Sequence, residues 1–372
     1  MLIRIHRETR PGERRVALVP KTVRRLVDDG HQVVLPAGAG ISAGYDDEAY
    51  VGAGASVFEG SPPEADLVAA VGPVTLEDVA PTKAVVAFLN PLGDPAAIAR
   101  FAAAGVAALS MEMIPRTTLA QSMDALSSQA TSAGYEAVLL GASLLPRFLP
   151  MMMTAAGTIP PARALVLGAV VAGLQAIATV RRLGAKTAGY DIRPEAAEQI
   201  ESLGATFVGG PLQEQSADSG GYATEVTEET KAAQQASLAK HVSESDLIIT
   251  TAAVPGRPAP RLITREMVEG MKPGSVIVDL AAPTGGNCEV TEPGETITHH
   301  GVIVAGPLDL PSQTAGHASD MYSRNVLELL TYLTGDDGAL VLDPEDEIAT
   351  CAVARDGEIT SERVRAALEA SS

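Results

Sequence analysis

The chain has 372 residues, enough for two or three domains, and carries 27 Lys and Arg against 46 Asp and Glu, a net charge of −19. That balance argues against nucleic acid and anionic lipid as partners, because a polyanion is repelled unless a basic patch is built for it, and the basic pairs Arg14-Arg15, Arg24-Arg25 and Arg181-Arg182 are too short to form one. Tryptophan is absent and aromatics make up 3%, so the core is aliphatic and no stacking platform for single strands is available.

The first third alternates short β-rich runs with helical patterns. Strands are expected at 2–5, 32–35, 67–71, 84–89 and 106–111, with helices at 21–29, 46–51 and 95–104 between them. Such alternation predicts a parallel sheet covered on both faces. A helix rich in small residues is expected over 127–145, its small side chains permitting close packing, and it is read as the connector to a second domain. An apolar segment, 148–156, then runs to a boundary at Pro160-Pro161.

From Ala162 the alternation restarts, with strands expected at 164–167, 187–190, 206–208, 247–251, 275–279 and 302–305. Between 209 and 232 it gives way to a polar, acidic stretch, which in a compact domain is usually functional or disordered. A leucine-rich helix at 321–333 and a terminal one at 362–370 complete the reading.

The fold class expected is therefore α/β, with two Rossmann-like, doubly wound parallel-sheet domains flanking a nucleotide-binding cleft. Residues 1–126 plus 315–372 form one domain and 127–314 the nucleotide-binding one. Cys288 and Cys351 have neither metal-ligand spacing nor the numbers for a disulfide framework, so both are read as structural thiols and no metal is expected. The amino terminus does not read as a signal peptide, and no run of about 20 apolar residues occurs, so a cytoplasmic chain without direct membrane insertion is expected.

The strongest motif is an apolar strand, Ala164–Leu167, running into Gly168-Ala169-Val170-Val171-Ala172-Gly173 and then an amphipathic helix, with Asp191 closing the following strand. In a Rossmann unit the first glycine makes a tight turn, the second lets the backbone approach a pyrophosphate, and the third packs helix on strand. The later acid takes the ribose hydroxyls and disfavours a 2′-phosphate. Here Val170 replaces the second glycine. Three outcomes are open: the loop shifts outward and the diphosphate contact weakens, the side chain lies beside the ligand without loss, or the site is blocked. The first is expected, because every other element of the site is present, and strain is expected at Val170 because valine resists the positive φ that glycine allows. The plain alternative is a βαβ turn in which Gly168 and Gly173 serve packing alone and Asp191 is a solvated strand-end acid.

Three other clusters stand out. Arg116, Gln121, Asp124 and Ser127 offer a cation, an amide, an acid and a hydroxyl after a strand end, where α/β proteins bind ligands. Helix capping by Asp124 and Ser127, with Arg116 a surface charge, is the bland reading. Gly220-Gly221-Tyr222-Ala223 suits a flap whose ring closes on a ligand, or an ordinary flexible loop. Residues 279–289 are a glycine-rich turn at another strand end.

Taken together, these segments resemble the soluble NAD(H)-binding domain of proton-translocating NAD(P)+ transhydrogenase. The resemblance covers essentially the whole chain and includes Arg7-Glu8 and residues 13–23, 115–128, 220–223, 254–260 and 278–289. It implies the form in which this domain is a separate subunit, a homodimer that is cytoplasmic and peripheral through membrane-spanning and NADP(H)-binding partner subunits. It also implies direct hydride transfer between NADH here and NADP+ on the partner, coupled to proton movement. By the same resemblance Arg116, Gln121, Asp124 and Ser127 hold the nicotinamide end and Gln121 aims the ring. Asp191, Ile192 and Arg193 hold the adenosine ribose, Gly221 and Tyr222 close the site, and Gln234 and Ala253 line it. Alanine dehydrogenases share this broad fold and are the rival class, with a non-catalytic NAD-binding subunit the other alternative. Arg15 matches the rival's substrate arginine. Its lysine position falls in the apolar 65–71 and its histidine position in 88–91, which has none.

Overall fold

In the computed structural model, residues 1–209, 237–253 and 258–371 are described. They divide into two compact units, Met1–Ser132 with Pro311–Ser372, and Ala133–Leu310.

The first unit is built on an eight-stranded sheet. Six strands, β1 (Leu2–Ile5), β2 (Gln32–Pro36), β3 (Ser56–Phe58), β4 (Ala65–Ala69), β5 (Thr82–Ala87) and β6 (Ala107–Ser110), are joined by parallel pairs. Two strands from the far end of the chain, β16 (Ala352–Arg355) and β17 (Glu358–Ile359), extend it antiparallel beyond β6, giving the order β17-β16-β6-β5-β4-β1-β2-β3. The apolar runs that betray the inner strands follow from this. Leu67 and Ala69 enter one core cluster while Val68 and Ala70 enter the other, so each face of β4 is buried.

The helix Ala315–Leu333 lays Tyr322, Val326, Leu329 and Leu333 on the first of these clusters, at the three- and four-residue spacing of one helical face. Polar groups fix its register. The backbone N–H groups of Val16 and Val19 donate to Ser319 and Ser323 Oγ, each at 3.0 Å, and the Tyr322 hydroxyl donates to the Ala70 carbonyl at 2.8 Å. The helix starts six residues earlier than the leucine pattern indicates, because its first turns are made of small and polar residues.

In the second unit the apolar segment after the long helix Ala125–Leu144 ends in a hairpin, β7 (Met152–Thr154) and β8 (Gly157–Ile159). The sheet follows: β9 (Arg163–Leu167), β10 (Lys186–Tyr190), β11 (Thr206–Phe207), β12 (Leu247–Thr250), β13 (Val276–Asp279), β14 (Thr296–His299) and β15 (Val302–Ala305). Their order is β11-β10-β9-β12-β13-β15-β14, parallel except for β14. The chain winds outward from β9 in one direction through β10 and β11, then returns to the other side at β12. That reversal is the topological switch point of a doubly wound sheet, and ligands bind outside the carboxyl ends of the strands that flank it.

Glycines in the long helix allow the close packing that its composition implies. A Cβ on Gly134 would lie 2.1 Å from the Ala172 carbonyl oxygen, and one on Gly141 would lie 2.6 Å from a Leu247 methyl. Among the described residues, no helix is long and apolar enough to cross a membrane.

Candidate functional site: the switch point of the second sheet

β9 ends at Leu167 and the chain turns at Gly168, whose φ of +94° is the left-handed region that glycine enters without a side-chain penalty. A Cβ there would also collide with Thr251 Oγ1 at 2.7 Å. The helix Val171–Arg182 follows at once. Gly173 in its first turn faces back on the turn so closely that a Cβ would sit 1.8 Å from the Gly168 carbonyl oxygen. Both glycines are therefore demanded by packing.

Asp191 follows the last residue of β10 and is nearly buried. Its Oδ2 accepts from the Ala169 backbone N–H at 2.7 Å and from Arg193 Nη2 at 3.0 Å. Its Oδ1 accepts from the Arg193 backbone N–H at 2.9 Å and from Arg193 Nε at 3.0 Å. Burial pushes this carboxyl's pKa up, but the bonds from Arg193 and Ala169 outweigh it and hold the group below the ordinary range. A fixed negative charge thus stands beside the glycine turn, on the neighbouring strand. Ile192, next to it, is 79% exposed. Thr251, after β12, donates to the carbonyls of Leu167 and Gly168, and Ala253 lies exposed two residues beyond.

Val170 is the helix N-cap with φ −93° and ψ −167°, an extended backbone that any residue adopts, and its side chain is half exposed. This corrects the strain expected at that position: the positive φ belongs to Gly168, and Val170 departs from the glycine pattern only in its bulk. Val170→Gly should accordingly leave the turn unchanged and tighten NADH by only a few-fold in a fluorescence titration. Tightening by a hundredfold or more would show instead that the side chain occupies the diphosphate's place.

The turn after β13 is structural. Asp279 is fully buried, with Oδ1 accepting from Thr250 Oγ1 and the Ala281 N–H and Oδ2 from the Cys288 N–H and Thr291 Oγ1, at 2.7–3.0 Å. Buried Asn287 bridges the backbone of Ala252 and Pro260. That anchor went unread in the sequence, where an asparagine in a glycine-rich turn looks like any turn residue. Burial pushes the Cys288 thiol up to about 11 and that of Cys351 to about 12, so both stay protonated and unreactive at neutral pH.

The other cluster lies in the first unit, beyond the carboxyl end of β6. Arg116 and Gln121 are exposed. Asp124 precedes the first residue of the long helix, accepting from the Ser127 N–H at 2.9 Å and from Ser127 Oγ at 2.6 Å, an N-cap bond. The structure thus joins Asp124 to Ser127 and, separately, Ala169 to Asp191 and Arg193. Gly221, Tyr222 and Gln234 lie outside the described residues.

A parallel doubly wound sheet, a glycine turn at its switch point and an acid closing the neighbouring strand define a Rossmann-type nucleotide-binding architecture. Residues 4–133 match the alanine dehydrogenase/PNT amino-terminal domain and residues 137–362 the corresponding carboxyl-terminal domain. An NAD(P) transhydrogenase alpha-subunit chain of Rhodospirillum rubrum is 44% identical over 96% of this chain and 97% of its own length. The crystal structure of transhydrogenase from Sinorhizobium meliloti aligns with a TM-score of 0.88 at 42% identity, covering 96% of this chain and 100% of that one. An L-alanine dehydrogenase structure aligns over the full length of both chains with a TM-score of 0.81 at 25% identity. The chain belongs to the alanine dehydrogenase/PNT family, and within it to the NAD(P) transhydrogenase alpha subunits.

Proposed function

We propose that this chain is the NAD(H)-binding component of a proton-translocating transhydrogenase and presents a nicotinamide ring to NADP(H) held by a partner subunit. The observation that carries this reading is Asp191, a buried carboxylate bonded to the turn N–H of Ala169 beside Gly168. Its charge suits a ribose with free hydroxyls and opposes a 2′-phosphate. Arg193 does not reverse that preference, since its guanidinium already binds Asp191.

NAD(H) supplies the hydride chemistry. The chain's own residues bind and orient it: Gly168, Ala169, Val170, Val171 and Gly173 toward the diphosphate, Asp191, Ile192 and Arg193 toward the adenosine ribose, and Arg116, Gln121, Asp124 and Ser127 toward the nicotinamide end. Gly221, Tyr222, Gln234 and Ala253 complete the set. Nothing in this scheme calls for a protein nucleophile, so the residues act by positioning two rings for direct transfer.

The homodimer and the peripheral association through membrane-spanning subunits are included in the same proposal. The hairpin β7–β8 and its approach expose Phe148, Met151, Met152, Met153 and Ile159, large apolar side chains close together in the chain, which supports an interface at this hairpin. An amino-acid dehydrogenase is the weaker reading. The segments that would carry its lysine and histidine, 65–71 and 88–91, contain neither residue, and Glu13 and Gln129 already engage Arg15.

Titrating NADH and NADPH against the purified chain tests the proposal, since both report binding by fluorescence. NADH should bind and NADPH should bind far more weakly. Asp191→Ala should lose about tenfold to a hundredfold in NADH affinity, the worth of a hydrogen bond to a charged group. Asp191→Asn, which keeps an acceptor for Ala169, separates the charge from the fold. Equal affinity of the wild type for the two nucleotides would sink the assignment.

A further inference from the structure

We propose that Glu269, His299 and His300 form a site for a divalent cation of the zinc class on the second unit, on residues to which the nucleotide chemistry assigns no role. His299 Nε2 is 3.2 Å and His300 Nε2 3.7 Å from the same Glu269 oxygen, and the three ligand atoms lie within 4.8 Å of one another. Zinc holds imidazole nitrogens and carboxylate oxygens at about 2.0–2.2 Å, so neighbouring ligands of a tetrahedral site are about 3.4 Å apart. The two separations bracket that edge. A cation could therefore enter with only small side-chain movements.

The backbone explains how two consecutive histidines reach one carboxylate. Successive side chains of a strand point to opposite faces. His299 ends β14, but His300 has φ +49° and Gly301 φ +78°, a two-residue hairpin turn into β15 with positive φ at both positions. The turn brings the second imidazole back beside the first, with ring centroids 4.8 Å apart. The glutamate is held to the same hairpin. It ends the helix Arg265–Glu269, which is capped by Thr264 and anchored by Met267 and Val268 in the core. The segment that follows donates from the Gly274 N–H to the Gly301 carbonyl at 2.7 Å, and the Ser275 carbonyl accepts from the Ile303 N–H at 2.9 Å.

The donor set chooses the metal. Two imidazoles and one carboxylate suit zinc-class ions, whereas Mg2+ and Ca2+ require oxygen ligands. The side chains are 21%, 61% and 36% exposed for His299, His300 and Glu269, so an ion can reach them and a solvent molecule can take the fourth position. The site went unread in the sequence because its third ligand is 30 residues away from the histidine pair.

The test uses the full chain, stripped with chelator and titrated with Zn2+ by calorimetry, with Mg2+ as control. The expected result is one Zn2+ per chain, no Mg2+ binding and a melting temperature raised by Zn2+. His300→Asn is the decisive variant, since asparagine favours the same turn and preserves the hairpin while removing a ligand. It should weaken Zn2+ by at least about tenfold, because losing even an outer partner of a metal ligand costs 10–100-fold, and it should abolish the melting shift. Glu269→Gln should do the same. Wild-type affinity in both variants, or no binding in large Zn2+ excess, would overturn the site and leave an ordinary surface ion pair.

Discussion

Glu13→Gln lowers the unfolding free energy by roughly 3–5 kcal/mol, the usual cost of removing one partner from a buried ion pair. The Glu13 side chain is wholly buried and Arg15 nearly so. Its Oε1 accepts from Arg15 Nε at 2.8 Å, the Arg15 N–H at 2.9 Å, the Arg14 N–H at 3.1 Å and Ser312 Oγ at 2.7 Å. Its Oε2 accepts from Arg15 Nη2 at 2.6 Å and Arg10 Nη2 at 2.8 Å. Glutamine has the same shape but turns one of these oxygens into a donor, facing donors, and leaves a guanidinium buried without its counter-charge. The check is a urea melt, in which the midpoint should fall with little change in slope.

The pH dependence of stability gives this cluster a signature. Burial raises the Glu13 pKa, but the bonds and charge of Arg15 outweigh that and bring it from 4.5 down to about 2. Glu13 therefore contributes stability above the ordinary carboxylate value, and that contribution is lost as the pH falls toward 2. Glu8 has the opposite sign. Burial lifts it from 4.5 to about 7, so between those values the folded chain keeps a proton that the unfolded chain has released, and its contribution falls as the pH rises. Melts of Glu8→Gln against wild type should diverge in the variant's favour from pH 5 to pH 8. Parallel curves across that range would remove Glu8 from the account.

The fold was readable in most strands buried on both faces, because such strands write continuous aliphatic runs; β16, buried but only four residues long, is the exception. Leu2–Ile5 and Val302–Ala305 coincide with their expected bounds, and β9 and β10 differ by one residue. The strands of the two large sheets that went unread, β3, β14, β16 and β17, lie at or next to sheet edges, where a run is short or broken by polar residues: β14 alternates exposed Thr296 and Thr298 with half-buried Ile297 and His299. The hairpin strands β7 and β8 also went unread, being three residues each and wholly exposed. In the site, Gly168, Gly173 and Asp191 were legible because each answers a separate backbone demand. What the sequence could not reveal was Val170's backbone angle, or that Arg193 would bind Asp191. Both depend on three-dimensional closure of the turn.

Gln121→Asn should slow hydride transfer by about a hundredfold while leaving NADH affinity and stability nearly unchanged. The residue opens the short turn Gln121–Met123, and its side chain is exposed while the turn beneath it is fixed. Met123 is buried, Asn325 Nδ2 donates to the Ser122 carbonyl at 2.7 Å, Ser128 Oγ donates to Asn325 Oδ1 at 2.7 Å, and Asp124 caps the helix that follows. An amide carried on so rigid a base is suited to placing a ring rather than to adding affinity. Asparagine draws that amide back by one carbon–carbon bond, about 1.5 Å. A misplacement near 1 Å can cost about a hundredfold in a reaction that depends on alignment. An exposed side chain contributes little to stability, so the melting temperature should hold. The measurement is single-turnover transfer from bound NADH to NADP+ on the partner subunit, beside an NADH titration of the chain alone. Asp124→Asn, which preserves a capping acceptor, serves as the companion variant and should reduce transfer only if the acid's charge contributes. Normal turnover with lost NADH affinity in Gln121→Asn would reverse the assignment, making Gln121 a binding residue and removing the argument for ring placement from this turn.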